Sequence, residues 1–200
     1  MNYLAHAYLS FNQNEILVGN LISDFVKGKK KFDYPLNIRK GIALHRAIDA
    51  FTDFHAATKE AKKVFRSHYR LYAGAFIDIV YDHFLANDEQ EFDEASLFSF
   101  SQYVYDTLGQ SKEWLPERFQ RMFYYMKLQN WLFHYRTRQG TEKSFGGLVA
   151  RSVYMEESHT ACNLFEQHYQ LLEACYRHFW PEVKQFAQKE LKQLTENNNM

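Results

Sequence analysis

Histidine and aspartate recur at one-turn spacing in the stretch GIALHRAIDAFTDFH, residues 41–55. On a helix, His45, Asp49 and Asp53 are four residues apart and therefore lie along one face. Imidazole nitrogen and carboxylate oxygen side by side suit a divalent ion such as Mn²⁺, Fe²⁺ or Zn²⁺. A solvated polar face is an alternative, as is an N-cap role for Asp53 at a helix break.

A second group lies in the apolar segment 73–85, AGAFIDIVYDHFL, which is predicted to be a buried helix. It carries Asp78 and Asp82 one turn apart, with His83 beside them. Burying an unpaired carboxylate costs several kcal/mol, so each needs a cation or strong hydrogen-bond donors. One metal ion would serve both carboxylates, and a buried Asp–Arg or Asp–His pair would serve them equally well.

The N-terminal region contributes two further polar residues on apolar helical faces, His6 and Asp24. Alone, each is more typical of a hydrogen-bonded structural residue than of a ligand. However, three segments within the first 85 residues each place an acid or histidine on an apolar face. Helical bundles build internal metal sites in this way, so the pattern favours a divalent-metal hydrolase site.

Positive charge is concentrated between residues 27 and 46, although the chain as a whole has 24 Lys and Arg against 24 Asp and Glu. A solvated loop would explain this segment, and so would attraction for an acidic or phosphate-bearing partner. Because the whole chain is neutral, an acidic protein fits better than nucleic acid. The candidate partner-binding residues are Lys27, Lys29, Lys30, Lys31, Arg39 and Lys40.

The elements that must position these residues are predicted to be helices, because the chain has three prolines and no hairpin signal. We expect a single all-α domain over 1–200, with a frayed tail from about 195. Glycines at 140, 146 and 147 predict a loop region, and Pro181 predicts a kink or break in the last helix. The predicted helices are 2–10, 15–26, 38–54 with a bend before 58–66, 71–85, 95–108, 116–135 and 158–194.

Composition excludes several classes of protein. The chain is 46% hydrophobic and 24% charged, which is the globular range rather than that of a disordered chain. We find no signal peptide and no apolar run long enough to span a membrane, and so expect a cytoplasmic protein. Dinucleotide-binding, P-loop and nucleophile-elbow motifs are absent from the sequence.

Several short strings resemble the bacterial acyl carrier protein (ACP) phosphodiesterases, also called ACP hydrolases. The resemblance extends over essentially the whole chain and is weaker after about residue 95. The strings are MNYLAH at 1–6, GN at 19–20, DFVKG at 24–28, GI at 41–42, HRAID at 45–49, TD at 52–53, FRS at 65–67, and Asp78 followed by DHFL at 82–85.

This resemblance implies removal of the 4′-phosphopantetheine arm from holo-ACP to give apo-ACP. It also implies a divalent ion, Mn²⁺ first with Mg²⁺ or Fe²⁺ as alternatives, and a helical bundle like the HD phosphohydrolases. The adjacent pair here reads Asp82–His83 rather than the usual His-Asp. Ligand roles are therefore not carried over from ordinary HD proteins.

On this basis we expect metal-assisted phosphodiester hydrolysis, in which the ion lowers the pKa of a bound water. His6 or Asp78 would orient the water or protonate the leaving serine oxygen, and Arg46 would hold a phosphate oxygen. The expected metal ligands are Asp24, His45, Asp49, Asp82 and His83.

Two other functions remain open at this point. One is a metal phosphohydrolase acting on nucleotides or small phosphodiesters. The other is a non-catalytic helical module that binds acidic proteins.

Overall fold

The computed structural model describes residues 2–196, and the predicted all-α fold is confirmed over that range. These residues contain α-helices and short 3₁₀ helices but no strand, and the helices share one hydrophobic core. The helices are α1 (Tyr3–Tyr8), α2 (Asn14–Ile22), α3 (Leu36–Phe54), α4 (Ala56–Tyr69), α5 (Ala73–Ala86), α6 (Glu94–Gln110), α7 (Glu117–Leu128), α8 (Trp131–His134), α9 (Arg138–Ala150), α10 (His159–Gln167) and α11 (Tyr169–Glu196).

Helix α5 lies at the centre of the fold, as its apolar sequence predicts. Its side chains are buried on most of its circumference, and it packs against α1, α4 and α9. The predicted bend between α3 and α4 is at His55, which has an extended backbone and caps α4 by accepting the Ala57 N–H through Nδ1. None of the described helices is both long enough and apolar enough to cross a membrane.

Helices α2 and α3 approach each other more closely than side chains allow. A Cβ on Gly19 would lie 2.0 Å from the carbonyl oxygen of Ile38, and a Cβ on Gly41 would lie 2.2 Å from that of Ile16. Glycine at both positions therefore permits backbone-to-backbone packing. This packing matters for function because Asn20 follows Gly19, and His45 lies one turn after Gly41.

The predicted loop at residues 140–147 is wrong, because these residues belong to α9. Gly140 serves packing rather than a turn, since a Cβ there would lie 1.9 Å from the carbonyl oxygen of His134. The predicted basic loop contains a 3₁₀ helix, Gly28–Asp33. Close packing thus explains Gly140 in a helix that propensity alone disfavours, whereas Gly146 and Gly147 have no such close neighbour among the described residues.

Three boundaries in the second half also differ from prediction. The expected helix 116–135 is divided at Asn130, whose backbone is left-handed with φ of 46°. The expected final helix is divided between α10 and α11, and Pro181 lies inside α11 without ending it. Of the predicted frayed tail, residues 195 and 196 close α11, and the remainder lies outside the described residues.

Candidate metal centre

Two buried histidines from separate helices stack face to face. The rings of His6 on α1 and His45 on α3 have centroids 4.0 Å apart and are tilted by 16°. His6 Nδ1 lies 2.8 Å from the side-chain oxygen of Asn20, and His45 Nδ1 lies 2.7 Å from the backbone oxygen of the same residue. One asparagine therefore holds both rings.

The partners of Asn20 determine the tautomer of each ring. Its amide nitrogen donates to the carbonyl oxygen of His6 at 2.8 Å and to Ser10 Oγ at 3.1 Å, so its amide oxygen must accept. Both histidine Nδ1 atoms face acceptors and hence carry hydrogen. This leaves both Nε2 atoms to bind a proton or a metal ion, the arrangement in which second-shell groups orient metal-binding histidines.

Both Nε2 atoms point at carboxylates. His6 Nε2 lies 3.1 Å from Asp49 Oδ1, while His45 Nε2 lies 3.1 Å from Asp49 Oδ2 and 3.2 Å from Asp24 Oδ1. Two ligand atoms that each lie about 2.1 Å from an ion, with a right angle between the two bonds, are about 3 Å apart. The observed separations match this distance. The ligand atoms of His6, His45 and Asp49 all lie within 4.8 Å of one another. These residues can therefore hold a divalent ion.

The electrostatics of the cluster also favour a cation. Burial and the neighbouring charge of His45 lower the pKa of His6 to about 4. Burial acts to lower the pKa of His45 as well, but hydrogen bonds with Asp24 and Asp49 raise it to about 9. Near neutral pH, His45 therefore carries a second proton, on Nε2. His6 is neutral, and its Nε2 lone pair points at a carboxylate oxygen. A divalent ion would remove that repulsion.

Both carboxylates of the cluster are held in the ionised form. Hydrogen bonding with His45 lowers the pKa of Asp24. Burial acts to raise the pKa of Asp49, but hydrogen bonding with His45 holds it well below its usual range. Asp49 is 40% exposed and Asp24 74% exposed, so the centre is reached from solvent on the Asp24 side.

A cavity of about 510 Å³ opens beside the cluster, and its lining includes His6, His45 and Asp24. Asp78 on α5 also lines it, and burial raises the pKa of this carboxyl. Another part of the lining comes from α9 and its C-cap, and it includes Lys143 within the helix and Arg151 at the C-cap. Sequence reasoning missed both residues because this segment was predicted as loop. Their spacing with Gly140 and Gly147 is helical and was the available signal.

Asp82 lies apart from the cluster. Its fully buried carboxylate accepts hydrogen bonds from the backbone N–H groups of Leu4 at 2.7 Å and Ala5 at 3.0 Å. Burial raises its pKa to about 7 against the opposing effect of these two donors. A buried carboxylate needs either a cation or strong hydrogen-bond donors. For Asp82, the first turn of α1 supplies the donors.

His83 is also held away from the cluster. Its Nδ1 lies 2.8 Å from the carbonyl oxygen of Tyr135, and its Nε2 lies 3.0 Å from the hydroxyl of Tyr169. Both ring nitrogens therefore have partners from α8–α9 and α11. Burial lowers the pKa of His83 to about 4, so the neutral ring ties these helices to α5.

Two charged residues near the cluster have structural partners outside the cavity lining. Arg46 is exposed and donates to the carbonyl oxygen of Val26 at 3.0 Å, which tethers the segment that follows Asp24. Asp53 is exposed and pairs with Lys62 at 2.6 Å. For Asp53, the alternative interpretation therefore applies: this residue belongs to a polar, solvated face of α3.

The six basic candidates form a surface distinct from the cavity lining, on the 3₁₀ helix Gly28–Asp33, the residue before it, and the first turns of α3. Phe32 within this basic surface is 56% exposed, and Leu36 is 48% exposed. Lys31 Nζ and the guanidinium of Arg39 each lie 5.1 Å from the centre of the Phe32 ring. The surface thus combines positive charge with exposed apolar groups.

Comparison with known proteins agrees with the resemblance seen in the short strings. The family model described as acyl carrier protein phosphodiesterase matches residues 1–183. The acyl carrier protein phosphodiesterase of Klebsiella pneumoniae subsp. pneumoniae is 32% identical over 195 residues, covering 97% of this chain and 100% of the relative. That of Yersinia pestis is 32% identical over 189 residues, covering 94% and 98%. No solved structure matches this chain.

Proposed function

The chain belongs to the acyl carrier protein phosphodiesterase family, and on that premise we propose that it hydrolyses the phosphodiester joining 4′-phosphopantetheine to a serine of holo-ACP. The observation that supports this most is the convergence of two buried histidine Nε2 atoms and two carboxylates beside the cavity. Holo-ACP as the substrate supports a cytoplasmic location for the enzyme.

Four residues would hold a divalent ion: His6, His45, Asp49 and Asp24. This revises the expected ligand set, since His6 replaces Asp82 and His83. Mixed imidazole and carboxylate ligands suit a divalent ion of intermediate hardness, and the family resemblance favours Mn²⁺, with Fe²⁺ and Mg²⁺ as alternatives. When bound, such an ion supplies activation of water and neutralisation of charge on the phosphoryl oxygens.

The protein supplies ring orientation and a proton. Asn20 keeps both Nε2 atoms directed into the centre, through contacts of 2.8 and 2.7 Å to the two Nδ1 atoms. Water adds to phosphorus as the bond to the serine oxygen breaks, so that oxygen must gain a proton. Asp78 lines the cavity, and burial raises the pKa of its carboxyl, which favours the protonated acid that this step requires.

We assign recognition of ACP to the basic surface defined above. Positive charge would steer an acidic protein, and exposed Phe32 and Leu36 would contact its apolar side chains. Charge reversal at Lys29, Lys30 and Lys31 is expected to raise the KM for holo-ACP about tenfold with kcat unchanged. The matched control reverses three charges that are exposed elsewhere, at Arg118, Lys189 and Lys192. An unchanged KM in the triple variant would refute this docking site.

The decisive test is conversion of holo-ACP to apo-ACP by the purified protein with Mn²⁺, followed by mass spectrometry. His45→Ala is expected to abolish conversion and metal binding, whereas Asp53→Asn, two turns further along α3, retains both. A panel of nucleotides and small phosphodiesters tests the alternative substrates. Holo-ACP left intact by a Mn²⁺-loaded protein would refute the proposed activity, and retained metal binding in His45→Ala would refute the proposed centre.

A further inference from the structure

A wall of the cavity is formed by one face of α9 together with the residue that caps its C-terminus. Gly140, Ser144, Gly147 and Arg151 follow one another at steps of three or four residues, so they share a face of the helix, and Lys143 flanks Ser144. All five line the cavity that holds the metal centre. This wall combines small residues with two cations.

The small residues keep the cavity open. Among the described residues, and apart from local backbone, a Cβ built on Gly147 would have one heavy atom within 4 Å, a guanidinium nitrogen of Arg151 at 3.9 Å. Ser144 turns its hydroxyl back to the carbonyl oxygen of Gly140 at 2.9 Å. The remaining volume of about 510 Å³ is in the range of small-molecule sites and exceeds what a phosphate group alone requires.

The two cations are available to an external anion. Among the described residues, neither Lys143 nor Arg151 forms an ion pair, whereas nearby Arg136 pairs with Glu94 and Arg138 with Glu166. Both are exposed and also line the cavity, so they lie at its mouth. A phosphodiester connecting an arm inside the cavity to a protein outside would occupy the same position.

Arg151 faces the same space as the metal centre. Arg151 and Tyr3 both line the cavity. Burial raises the pKa of Tyr3 to about 12, and the positive charge of Arg151 opposes the rise. Tyr3 and His6 are three residues apart on α1 and both line the cavity. The guanidinium and the candidate ligand therefore border the same cavity.

We infer that Lys143 and Arg151 bind the phosphoryl oxygens of the substrate at the cavity mouth, while Gly147 keeps room for the chain attached to the phosphate. This inference rests on the proposed function, because it takes that chain to be pantetheine. The phosphomonoester product carries more negative charge than the diester, so the same two residues also retain it after hydrolysis.

Calorimetric titration with 4′-phosphopantetheine and with pantetheine tests the inference, because the two ligands differ only by the phosphate. Wild-type protein is expected to prefer the phosphorylated ligand, both with Mn²⁺ and in chelator. The double variant Lys143→Gln/Arg151→Gln is expected to reduce that preference at least about tenfold. The matched control Lys189→Gln/Arg118→Gln, on exposed helix surface, keeps it.

A second pair of variants tests the space requirement. Gly147→Leu is expected to weaken both ligands at least about tenfold. Gly109→Leu, at a position with no neighbour within 4 Å among the described residues, is expected to leave both unchanged. Circular dichroism and thermal melting establish that each variant is folded. Normal binding of both ligands by Gly147→Leu would overturn the assignment of this space.

Other outcomes separate this inference from the proposed function. If holo-ACP is not hydrolysed but the double variant still loses the preference for phosphate, the anion site stands and the proposed activity fails. If the wild-type protein does not distinguish the two ligands, the inference is overturned. It is also overturned if the double variant raises only the KM for holo-ACP, because the two cations would then contact the acidic protein instead of the phosphate.

Discussion

The carboxylate of Asp82 accepts a hydrogen bond from the backbone N–H of Leu4 at 2.7 Å, across 78 residues of sequence. The same carboxylate accepts the N–H of Ala5 at 3.0 Å, so α5 supplies the partners that the first turn of α1 cannot find within itself. His6 is the next residue of α1. The position of one candidate metal ligand therefore depends on a buried carboxylate that is not itself in the cluster.

Replacing this carboxylate should destabilise the protein directly. Asp82→Ala leaves two buried N–H groups without an acceptor, so we expect the unfolding free energy of the metal-free protein to fall by about 2–4 kcal/mol. Urea denaturation in chelator measures this change. Asp93→Ala, which removes the exposed capping box of α6, should cost only about 1 kcal/mol. Unchanged stability in Asp82→Ala would show that the carboxylate does not support α1.

Removing the residue that orients both histidines should weaken metal binding without removing a ligand. Asn20→Ala is expected to lower Mn²⁺ affinity about 10–100-fold, since both rings lose a hydrogen-bond partner or its fixed position. The electron paramagnetic resonance signal of free Mn²⁺ reports this affinity. Asn37→Ala, at an exposed asparagine that pairs with Glu15 at 2.6 Å, is the control. Equal affinity in the two variants would contradict the orienting role.

Metal binding should release a proton, because the pKa of His45 is raised to about 9 while that of His6 is lowered to about 4. At pH 7 only His45 must lose a proton to become a ligand. We therefore expect release of about one proton per ion at pH 7, and affinity that rises about tenfold per pH unit up to about pH 9. Calorimetry in buffers of different ionisation enthalpy counts the protons. Absence of proton release at pH 7 would contradict this distribution of charge.

The same shift predicts the pH dependence of stability in the metal-free protein. The folded pKa of His45, about 9, lies above its ordinary value of 6.5. Its contribution to stability is therefore complete below pH 6.5 and is lost as the pH rises through 9. Denaturation in chelator at pH 6.5 and pH 9.5 should show this loss in the wild type, and His45→Gln should reduce it.

The close approach of α2 and α3 should tolerate no added methyl group. In Gly41→Ala the new Cβ would lie 2.2 Å from the carbonyl oxygen of Ile16, so the helices must separate. We expect a loss of about 1–3 kcal/mol in stability and weaker metal binding, since His45 would move away from the Asn20 carbonyl. Gly109→Ala, with open space around the position, should instead gain up to about 1 kcal/mol. Similar stability of the two variants would show that the close contact is not required.

Local patterns in the sequence determined much of this protein. Helical periodicity is a property of neighbouring residues, so the all-α fold, the buried α5 and the bend between α3 and α4 were predictable. The one-turn spacing of His45 and Asp49 was sufficient to bring them together, because both lie on one helix. The need for a partner at each buried carboxylate also follows from burial alone.

The tertiary structure decided which partner each polar residue received. Asp82 and Asp24 both interrupt apolar faces, yet one meets the N–H groups of α1 and the other meets His45. Such partners come from residues distant in the chain, whose proximity depends on how helices pack. The stacking of His6 on His45 depends likewise on α1 and α3 packing against α2. For α9, the glycines predicted a loop, yet the segment is helical, and at Gly140 the backbone of His134 approaches too closely for a side chain.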